Sequence, residues 1–577
     1  MVENSLTGHE NWIRSLAFKK LPNSKDLMLA SASQDRYIRL WRIHEGSVES
    51  IGQRTAEIDP ENDVSTDLLS NKVYHICDRK FVVTFEALLM GHDDWVFSIA
   101  WHPEKLQLLS ASADTTLMFW APDQSSGIWI CSSRLGDVSI KGASTATGAS
   151  GGFWVALWLN NGNEVITVGK TGSWRLWRLQ NDEWVAQTGI SGHVREVTDL
   201  SWEDNGSYLL STSLDQTTRL FGVWKKDSLW HEMSRPQIHG YDMITVKSMT
   251  PEIFVSAGDE KTLRVFEEPK GIAYLLENIC GTTGTHIETL PESAIVPALG
   301  LSNKQEEVNE SKQVGEIQDE EEDELPAESI LSVLTSLNEP PREDHLQRQT
   351  LWPELEKLYG HGYEISAIDI SQDKKVLATC CKANNETHAV VRLYDTQTWL
   401  QLKPTLAIHS LTITRLRFSP DDKYLLSVSR DRQWAVWERT DEPLSYRLHA
   451  SNPKGHNRII WDCCWLSDGG AFITASRDKS IKLWQLSEEA VWKDVAQVKF
   501  DSPVTAVDVN DENKLVVGLE TGELFVYQVK GTDIVLQVKV DETFAPDQRI
   551  TRITWRPSRM QFAVSSEDFS LRIFNVQ

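Results

Sequence analysis

The sequence predicts an all-β protein assembled from repeated four-stranded units. Two observations indicate this: one motif recurs along the chain, and alternating apolar and polar residues are separated by short polar turns, a pattern typical of strands. Each copy starts with Gly-His or His and continues through an alternating strand into a strand of small residues that ends in Ser. An Asp then occupies a tight turn before a strand that ends in an aromatic residue. A period in the forties with four strands per unit predicts β-propeller blades.

Five copies of the motif are complete, at 8–41, 91–120, 192–221, 409–437 and 456–484. In four of them the His precedes the Asp by 22 residues, as His92 precedes Asp114, and the aromatic residue follows six positions later. Because position, spacing and residue type recur together, the sequence is identified as a member of the WD40-repeat family.

Five weaker copies complete the series. They lie at 153–177, which lacks the His and the Asp, at 239–266, where Glu260 replaces Asp, at 361–394, with an elongated turn, at 503–527, with Thr521 at the Asp position, and at 550–574, which restores Asp568.

Ten units do not fit one propeller, because propellers close with about four to eight blades. We therefore predict a complete seven-bladed propeller over 189–577, preceded by a partial propeller of three units over 1–188. The first three units would form an open arc, whose exposed edges favour coverage by a partner.

Two insertions interrupt the repeats. Residues 43–88 contain the strand-like run KFVVTFEALL, whereas 268–350 are rich in acidic residues. Between 301 and 350 there are 14 acidic and 4 basic side chains, a net charge of -10. This composition predicts a solvated, disordered loop. A docking site for a basic partner is the alternative.

The recurring polar residues predict a hydrogen-bonded network inside each blade, in which Asp accepts from His, His bonds to Ser, and Ser reaches the Trp indole. The residues assigned to it are His9, Asp35, Trp41, His92, Ser112, Asp114, Trp120, His193, Ser213, Asp215, His409, Ser429, Asp431, Trp437, His456, Ser476, Asp478 and Trp484. A single Ser-His-Asp set would suggest a hydrolase triad. Its repetition in blade after blade indicates a structural role instead.

Net charge, cysteine spacing and hydropathy exclude several classes of function. The 577 residues carry a formal net charge of -25, which argues against a chain whose task is to grip a nucleic-acid backbone or an anionic membrane. The seven cysteines show no CxxC spacing, the N-terminus has no signal-peptide pattern, and no stretch approaches 18 apolar residues. We expect a protein of the cytoplasm and nucleus without disulfides.

No motif for a bound cofactor or a catalytic group is present. A GxxxxGK[ST] loop is absent, and no Cys/His set has the spacing of a zinc or iron–sulfur site. The adjacent pairs Cys380–Cys381 and Cys463–Cys464 lie in predicted strands, where neighbouring side chains point to opposite faces. We therefore expect no cofactor, no metal and no enzymatic activity, and interpret the chain as a scaffold.

Several longer segments resemble the second subunit of the Elongator complex, and this likeness extends over essentially the whole chain. They are RPQIHGYD at 235–242, VSAGDEKTLRVFEEP at 255–269, VPALGLSNK at 296–304 and EPPREDHLQRQTLWPELEKLYGHGYEI at 339–365, with SLDQTTRLF at 213–221 and SRDRQWAVW at 429–437.

The resemblance implies a double propeller of seven blades each, so that the first four of fourteen units are absent here. It implies a non-catalytic scaffold that contacts the largest Elongator subunit and the catalytic subunit, a separate chain with radical-SAM and acetyltransferase-like domains. That complex modifies wobble uridine 34 of certain tRNAs at C5. The resemblance further implies that tRNA is reached only indirectly and that no membrane or small-molecule substrate is bound.

Three aromatic residues are candidates for partner contact: Tyr241 and Tyr363, each in a His-Gly-Tyr sequence, and Trp352. The alternative is that the tyrosines merely cap the blade network. Two other function classes stay open, a WD40 adaptor of a chromatin or ubiquitin-ligase assembly and an enzyme with its active site in a propeller channel.

Overall fold

The computed structural model describes residues 5–21, 24–45, 72–76, 79–136, 152–282, 286–295, 304–305, 327–487 and 491–576. It confirms the all-β fold class, since ten consecutive antiparallel sheets follow one another along the described chain. The chain divides into two compact units, Met1–Ser191 (unit 1) and Gly192–Gln577 (unit 2).

Unit 1 contains three of these sheets, in the strand orders β1-β2-β3-β5-β4, β6-β7-β8-β9 and β10-β11-β12-β13. The strands are β1 Ile13–Lys20, β2 Leu27–Ser33, β3 Ile38–Glu45, β4 Lys72–Ile76, β5 Arg79–Leu89, β6 Val96–Trp101, β7 Leu108–Ser112, β8 Thr116–Pro122, β9 Trp129–Gly136, β10 Phe153–Leu159, β11 Glu164–Gly169, β12 Trp174–Gln180 and β13 Glu183–Ile190.

The insertion predicted at 43–88 contributes to the first of these sheets. Strand β5, which contains the apolar run noted in the sequence, pairs with β3 so that Phe85 lies opposite Trp41. The fourth strand of this blade therefore comes from the insertion, and residues 46–71 lie outside the described part of the chain.

Unit 2 contains the other seven of these sheets, six with four strands and the last with three, and its described residues also form a two-stranded sheet, β21-β22. The strands are β14 Val197–Trp202, β15 Tyr208–Ser213, β16 Thr217–Val223, β17 Trp230–Ile238, β18 Met243–Thr250, β19 Ile253–Gly258, β20 Leu263–Glu267, β21 Ala294–Ile295, β22 Lys304–Gln305, β23 Glu354–Leu358, β24 Ile365–Ile370, β25 Val376–Cys381, β26 Val390–Asp395, β27 Gln401–Ala407, β28 Ile413–Phe418, β29 Tyr424–Ser429, β30 Trp434–Arg439, β31 Tyr446–Asn452, β32 Ile460–Trp465, β33 Ala471–Ser476, β34 Ser480–Leu486, β35 Trp492–Lys499, β36 Val504–Val509, β37 Lys514–Leu519, β38 Leu524–Lys530, β39 Asp533–Lys539, β40 Ile550–Trp555, β41 Gln561–Ser566 and β42 Leu571–Asn575.

The seven sheets of unit 2 form a closed ring. Their first strands, called inner strands here, are β14, β18, β24, β28, β32, β36 and β40, and each contacts the next while β40 contacts β14. Side chains also join the two ends: the Thr551 hydroxyl donates to the Val197 carbonyl at 2.5 Å, and the Trp202 indole donates to the Thr554 carbonyl at 3.2 Å.

The apolar core lies between neighbouring sheets. Val391 of β26 and Leu416 of β28 belong to the same buried cluster although they come from different blades. The second strand of a blade is covered on both faces, which is why every residue of β29 is buried. This burial explains the small residues of that strand in the repeat, because a strand between two closely packed neighbours has room for few large side chains.

The acidic insertion is not the continuous disordered loop that its composition predicts. Its described residues include three α-helices, α1 Lys270–Ile279, α2 Ala327–Ser336 and α3 Glu343–Arg348. Buried residues of α1 pack in one cluster with Leu334 of α2 and with Trp352. The prediction of disorder was wrong for these helices, because it rested on the average charge of the insertion and not on the spacing of its apolar residues. The acidic run at 306–326 lies outside the described residues.

Candidate functional site

The recurring His and Asp residues form the network that the sequence predicts. In the second blade of unit 1, His92 Nδ1 lies 2.9 Å from Asp114 Oδ2, and His92 Nε2 lies 2.7 Å from Ser110 Oγ. The Trp120 indole donates to Ser110 Oγ at 2.9 Å. The side chains of His92 and Asp114 are only 1% and 6% exposed, so a substrate could not reach this set.

Four further blades contain the same arrangement. The His–Asp pairs are His9–Asp35 at 2.8 Å, His193–Asp215 at 2.8 Å, His409–Asp431 at 3.2 Å and His456–Asp478 at 2.9 Å, and the hydroxyls on the other ring nitrogen belong to Ser31, Ser211, Ser427 and Thr474. The indoles of Trp41, Trp437 and Trp484 donate to the hydroxyl of their own blade.

The sequence-based assignment of the hydroxyl partner was wrong by two residues. The predicted Ser112, Ser213, Ser429 and Ser476 do not contact the imidazole. Ser112 closes the turn instead: its Oγ donates to the Asp94 carbonyl at 3.1 Å and accepts from the Asp114 amide at 3.2 Å. Residues two apart share a face of a strand, so the pattern could not distinguish Ser110 from Ser112.

The His partner keeps each turn carboxylate ionised. Burial acts to raise the pKa of Asp114, but the hydrogen bond and charge of His92 outweigh it and lower that pKa to about 2. The pKa of Asp478 is lowered in the same way: burial opposes ionisation, and the hydrogen bond from His456 dominates. A carboxylate held charged inside a closed network is a structural group rather than a proton donor.

Hydroxyl side chains fasten neighbouring inner strands of unit 2 to one another. In four strands the second residue is Thr or Ser, and its hydroxyl donates to the carbonyl of the first residue in the next inner strand. These bonds are Thr198 to Met243 at 2.9 Å, Ser366 to Ile413 at 2.9 Å, Thr414 to Ile460 at 2.6 Å and Thr551 to Val197 at 2.5 Å.

Four charged side chains meet across the central channel of unit 2; we call them the channel plug: Asp199, Arg415, Asp462 and Arg552. Arg552 Nη1 donates to Asp462 Oδ1 at 3.1 Å, and its Nε lies 3.3 Å from Asp199 Oδ1. Arg415 Nε lies 3.3 Å from Asp462 Oδ1. Two carboxylates face two guanidinium groups, so the plug is electrically balanced although its members are at most 13% exposed.

A cavity of about 510 Å³ lies at the end of the channel where the inner strands begin. Its wall includes Tyr363, one of the predicted contact residues, together with Lys382, Arg430 and Arg549. None of these basic residues was singled out from the sequence, because each follows or precedes a different strand and only the ring brings them together.

No three His, Cys, Asp or Glu side chains converge as metal ligands within the described ranges. The cysteines of the two adjacent pairs are buried and free, and burial raises the pKa of the Cys380 thiol to about 12. No helix in the described part of the chain is long and apolar enough to cross a membrane.

Comparison with known proteins identifies the family. Six stretches match the repeat described as WD domain, G-beta repeat: 2–42, 80–121, 184–221, 352–395, 400–438 and 449–485. Elongator complex protein 2 of Saccharomyces cerevisiae is 47% identical over 99% of this chain and 75% of its own length. The protein of that name from Homo sapiens is 37% identical over 92% of this chain and 68% of its own length. This chain belongs to the Elongator complex protein 2 family. The resemblance noted in the sequence is thereby confirmed.

Two of the segments that resemble the Elongator complex protein 2 family, 235–242 and 339–365, hold the end of the insertion against the first two blades of unit 2. Arg235 lies between Glu232 and Glu343, with Nε 2.9 Å from Glu232 Oε1 and Nη1 2.8 Å from Glu343 Oε1. All three side chains are at most 2% exposed. Sequence reasoning missed this buried network because its two halves are 108 residues apart.

The three predicted contact residues have different surroundings. Tyr241 and Tyr363 are exposed, by 49% and 38%, and each ring contacts a His edge-on. Trp352 was wrongly predicted as a contact residue: it is fully buried and packs against Phe254, with ring centroids 5.2 Å apart. In this family member Trp352 anchors the return of the insertion to the blade, because a large apolar side chain is stabilised by burial.

Proposed function

We propose that this chain is a non-catalytic scaffold subunit of an Elongator complex. The observation that carries the proposal is the similarity to relatives named Elongator complex protein 2, which extends over 99% of this chain in two yeasts. The geometry agrees with it: the repeated His-Asp sets are closed, structural networks, whereas the loops and sheet edges offer surface for partners.

The finer proposal concerns what is assembled. The chain organises the largest Elongator subunit and the radical-SAM and acetyltransferase-like catalytic subunit, and so supports C5 modification of tRNA wobble uridine 34 in the cytoplasm and nucleus. Its formal charge of -25 supports an indirect relation to tRNA, since an acidic surface repels phosphate at long range.

Affinity purification of the full chain from its own cells, with mass spectrometry of the partners, tests the assembly. We expect the largest and the catalytic Elongator subunits in near-equal amounts. Recovery of a chromatin or ubiquitin-ligase assembly in their place would contradict the proposal and favour a general WD40 adaptor.

The same purification tests the exposed tyrosines. We predict that Tyr363→Ala or Tyr241→Ala leaves the melting temperature unchanged but reduces recovery of the other subunits several-fold, because an exposed aromatic ring is a common anchor at interfaces. Tyr274→Ala, at a residue of α1 that is 40% exposed, is the matched control. Undiminished recovery with both variants would exclude these residues as contacts.

The tRNA step needs its own measurement. Nucleoside mass spectrometry of tRNA from cells that lack the chain should show a loss of C5-modified uridine 34, and re-expression should restore it. Normal modification without the chain would refute this part of the proposal while leaving the assembly result intact.

A further inference from the structure

The cavity at the channel end differs in charge from the rest of the chain. Its lining includes Lys382, Arg415, Arg430 and Arg549, and no Asp or Glu is among the described residues that line it. Over the whole chain acidic residues outnumber basic ones by 83 to 58. The cavity lining is therefore basic although the chain as a whole is acidic.

Three of the four cations, Arg415, Lys382 and Arg549, already have a carboxylate partner outside the cavity lining. Arg415 belongs to the channel plug, where Asp199 and Asp462 balance it. Lys382 Nζ lies 2.5 Å from Asp259 Oδ1, but both side chains are nearly half exposed. Water screens an exposed pair of this kind strongly, so Lys382 can exchange this partner for a ligand at little cost.

Arg430 and Arg549 have unused donors. The exposed side chain of Arg430 makes no hydrogen bond or ion pair with any described residue. Arg549 has its guanidinium 4.7 Å from the centroid of the Trp461 ring, and the nearest carboxylate, Glu567, is 3.4 Å from its Nη1. The Arg549 Nε is buried without a hydrogen-bond partner in the described chain. An unpaired buried donor is unfavourable, so the Arg549 guanidinium has hydrogen-bonding capacity that its described neighbours leave unused.

We propose that this cavity binds a multivalent anion of the phosphate class, with Arg430, Arg549 and Lys382 as its cationic ligands. Guanidinium groups match the oxygen geometry of phosphate with paired hydrogen bonds. Three converging cations fit an anion with several charges better than one carboxylate. The cavity, at about 510 Å³, is of a size that small ligands occupy.

The wall also has room for an organic part of such a ligand. Ile244 and Trp461 line the same cavity, and both are partly exposed, so they supply apolar surface. Tyr363, whose side chain ends in a hydroxyl donor, also lines the cavity and is 38% exposed. A phosphate ester therefore fits the mixture of polar and apolar lining, and inorganic pyrophosphate is its simplest probe.

Calorimetric titration of the purified full chain with pyrophosphate, at constant ionic strength, tests the site. We expect saturable binding of the wild type, at least tenfold weaker binding by Arg430→Gln, and no detectable binding by the Arg430→Gln/Arg549→Gln double variant. Arg447→Gln is the matched control, because the Arg447 side chain is 71% exposed on β31, pairs with Glu438 and does not line the cavity. This control should bind like the wild type.

Three outcomes would overturn the proposal. One is absence of pyrophosphate binding by the folded wild type at millimolar concentration, and another is equal weakening by Arg430→Gln and Arg447→Gln. The third is binding of a glutamate-rich peptide, but not of pyrophosphate, with the same sensitivity to Arg430→Gln; it would assign the cavity to an acidic protein segment. The titration needs no other subunit, so its result is independent of the Elongator proposal.

Discussion

The Asp of a blade turn binds two structural elements at once. In the blade of Asp114, Oδ2 accepts from His92 and from the Asp93 amide, while Oδ1 accepts from the amide and the hydroxyl of Thr116. One carboxylate thus fixes the turn and also the strand entry 22 residues earlier. This double role explains why the spacing between His and Asp is constant from blade to blade. The spacing is visible in the sequence because the His and the Asp lie within one repeat.

Asp478→Ala should destabilise unit 2 by about 1–3 kcal/mol, since it leaves the buried His456 ring without its acceptor. The free energy of unfolding from urea titration measures the change. Asp468→Ala in the same blade is the control, because Asp468 is exposed and accepts a hydrogen bond from the Gly470 amide at 2.9 Å within its own turn. Equal losses in the two variants would show that the network adds nothing to the turn.

The lowered pKa of Asp114 predicts a defined acid sensitivity of unit 1. Its folded pKa of about 2 lies below the ordinary 3.8, so the unfolded chain binds the proton more readily. The stabilisation is therefore complete above about pH 5 and is lost as the pH falls through 3.8 towards 2. It amounts to about 1–2 kcal/mol after allowance for solvent screening at the partly exposed turn. The stability gap between wild type and Asp114→Asn should shrink between pH 5 and pH 3, as measured by urea titration at each pH. A constant gap would contradict the assignment.

At the scale of elements, the sequence predicts strands far better than it predicts the helices of the insertion. Strand alternation and turn residues are local signals, so β28 to β34 follow from the pattern. Helix α1 also has a local signal, apolar residues at Ile272, Leu275, Leu276 and Ile279, but the acidic composition of the insertion as a whole predicts a disordered loop. The helices are held against their blade by the pair Arg235 and Glu343. These two residues are 108 positions apart, so no local sequence pattern indicates that they pair.

Glu343→Gln should therefore release α3 from the blade. Removal of one partner from a buried ion pair costs about 3–5 kcal/mol, and the lower end applies because Glu232 still faces Arg235. Limited proteolysis should cleave the variant between β20 and β23 several-fold faster than the wild type. Glu339→Gln, which removes an exposed partner of Arg342, should change neither stability nor cleavage beyond about 1 kcal/mol. Identical digestion of the two variants would refute the anchoring role.

At the scale of the whole of unit 2, the central channel is where distant parts of the chain meet. The plug joins Asp199 of the first sheet to Arg552 of the last, and the hydroxyl of Thr551 returns to Val197. These contacts span about 350 residues, so the repeat pattern predicts that a ring exists but not which charges face one another inside it. The basic cavity has the same origin, because it exists only once the ring has closed.

Ring closure makes one seam between sheets different from the other six. Six seams join sheets that are consecutive in the chain, whereas side chains and inner-strand packing alone hold β40 to β14. Thr551→Val removes the hydroxyl bond at the closing seam, and Thr414→Val removes the equivalent bond at an internal seam. Each should cost about 1 kcal/mol. Only Thr551→Val should raise amide hydrogen exchange selectively in β14 and β40, because that seam can open without stretching the chain. Equal exchange in both variants would mean that the seven seams open together and that closure is not the weak point of the ring.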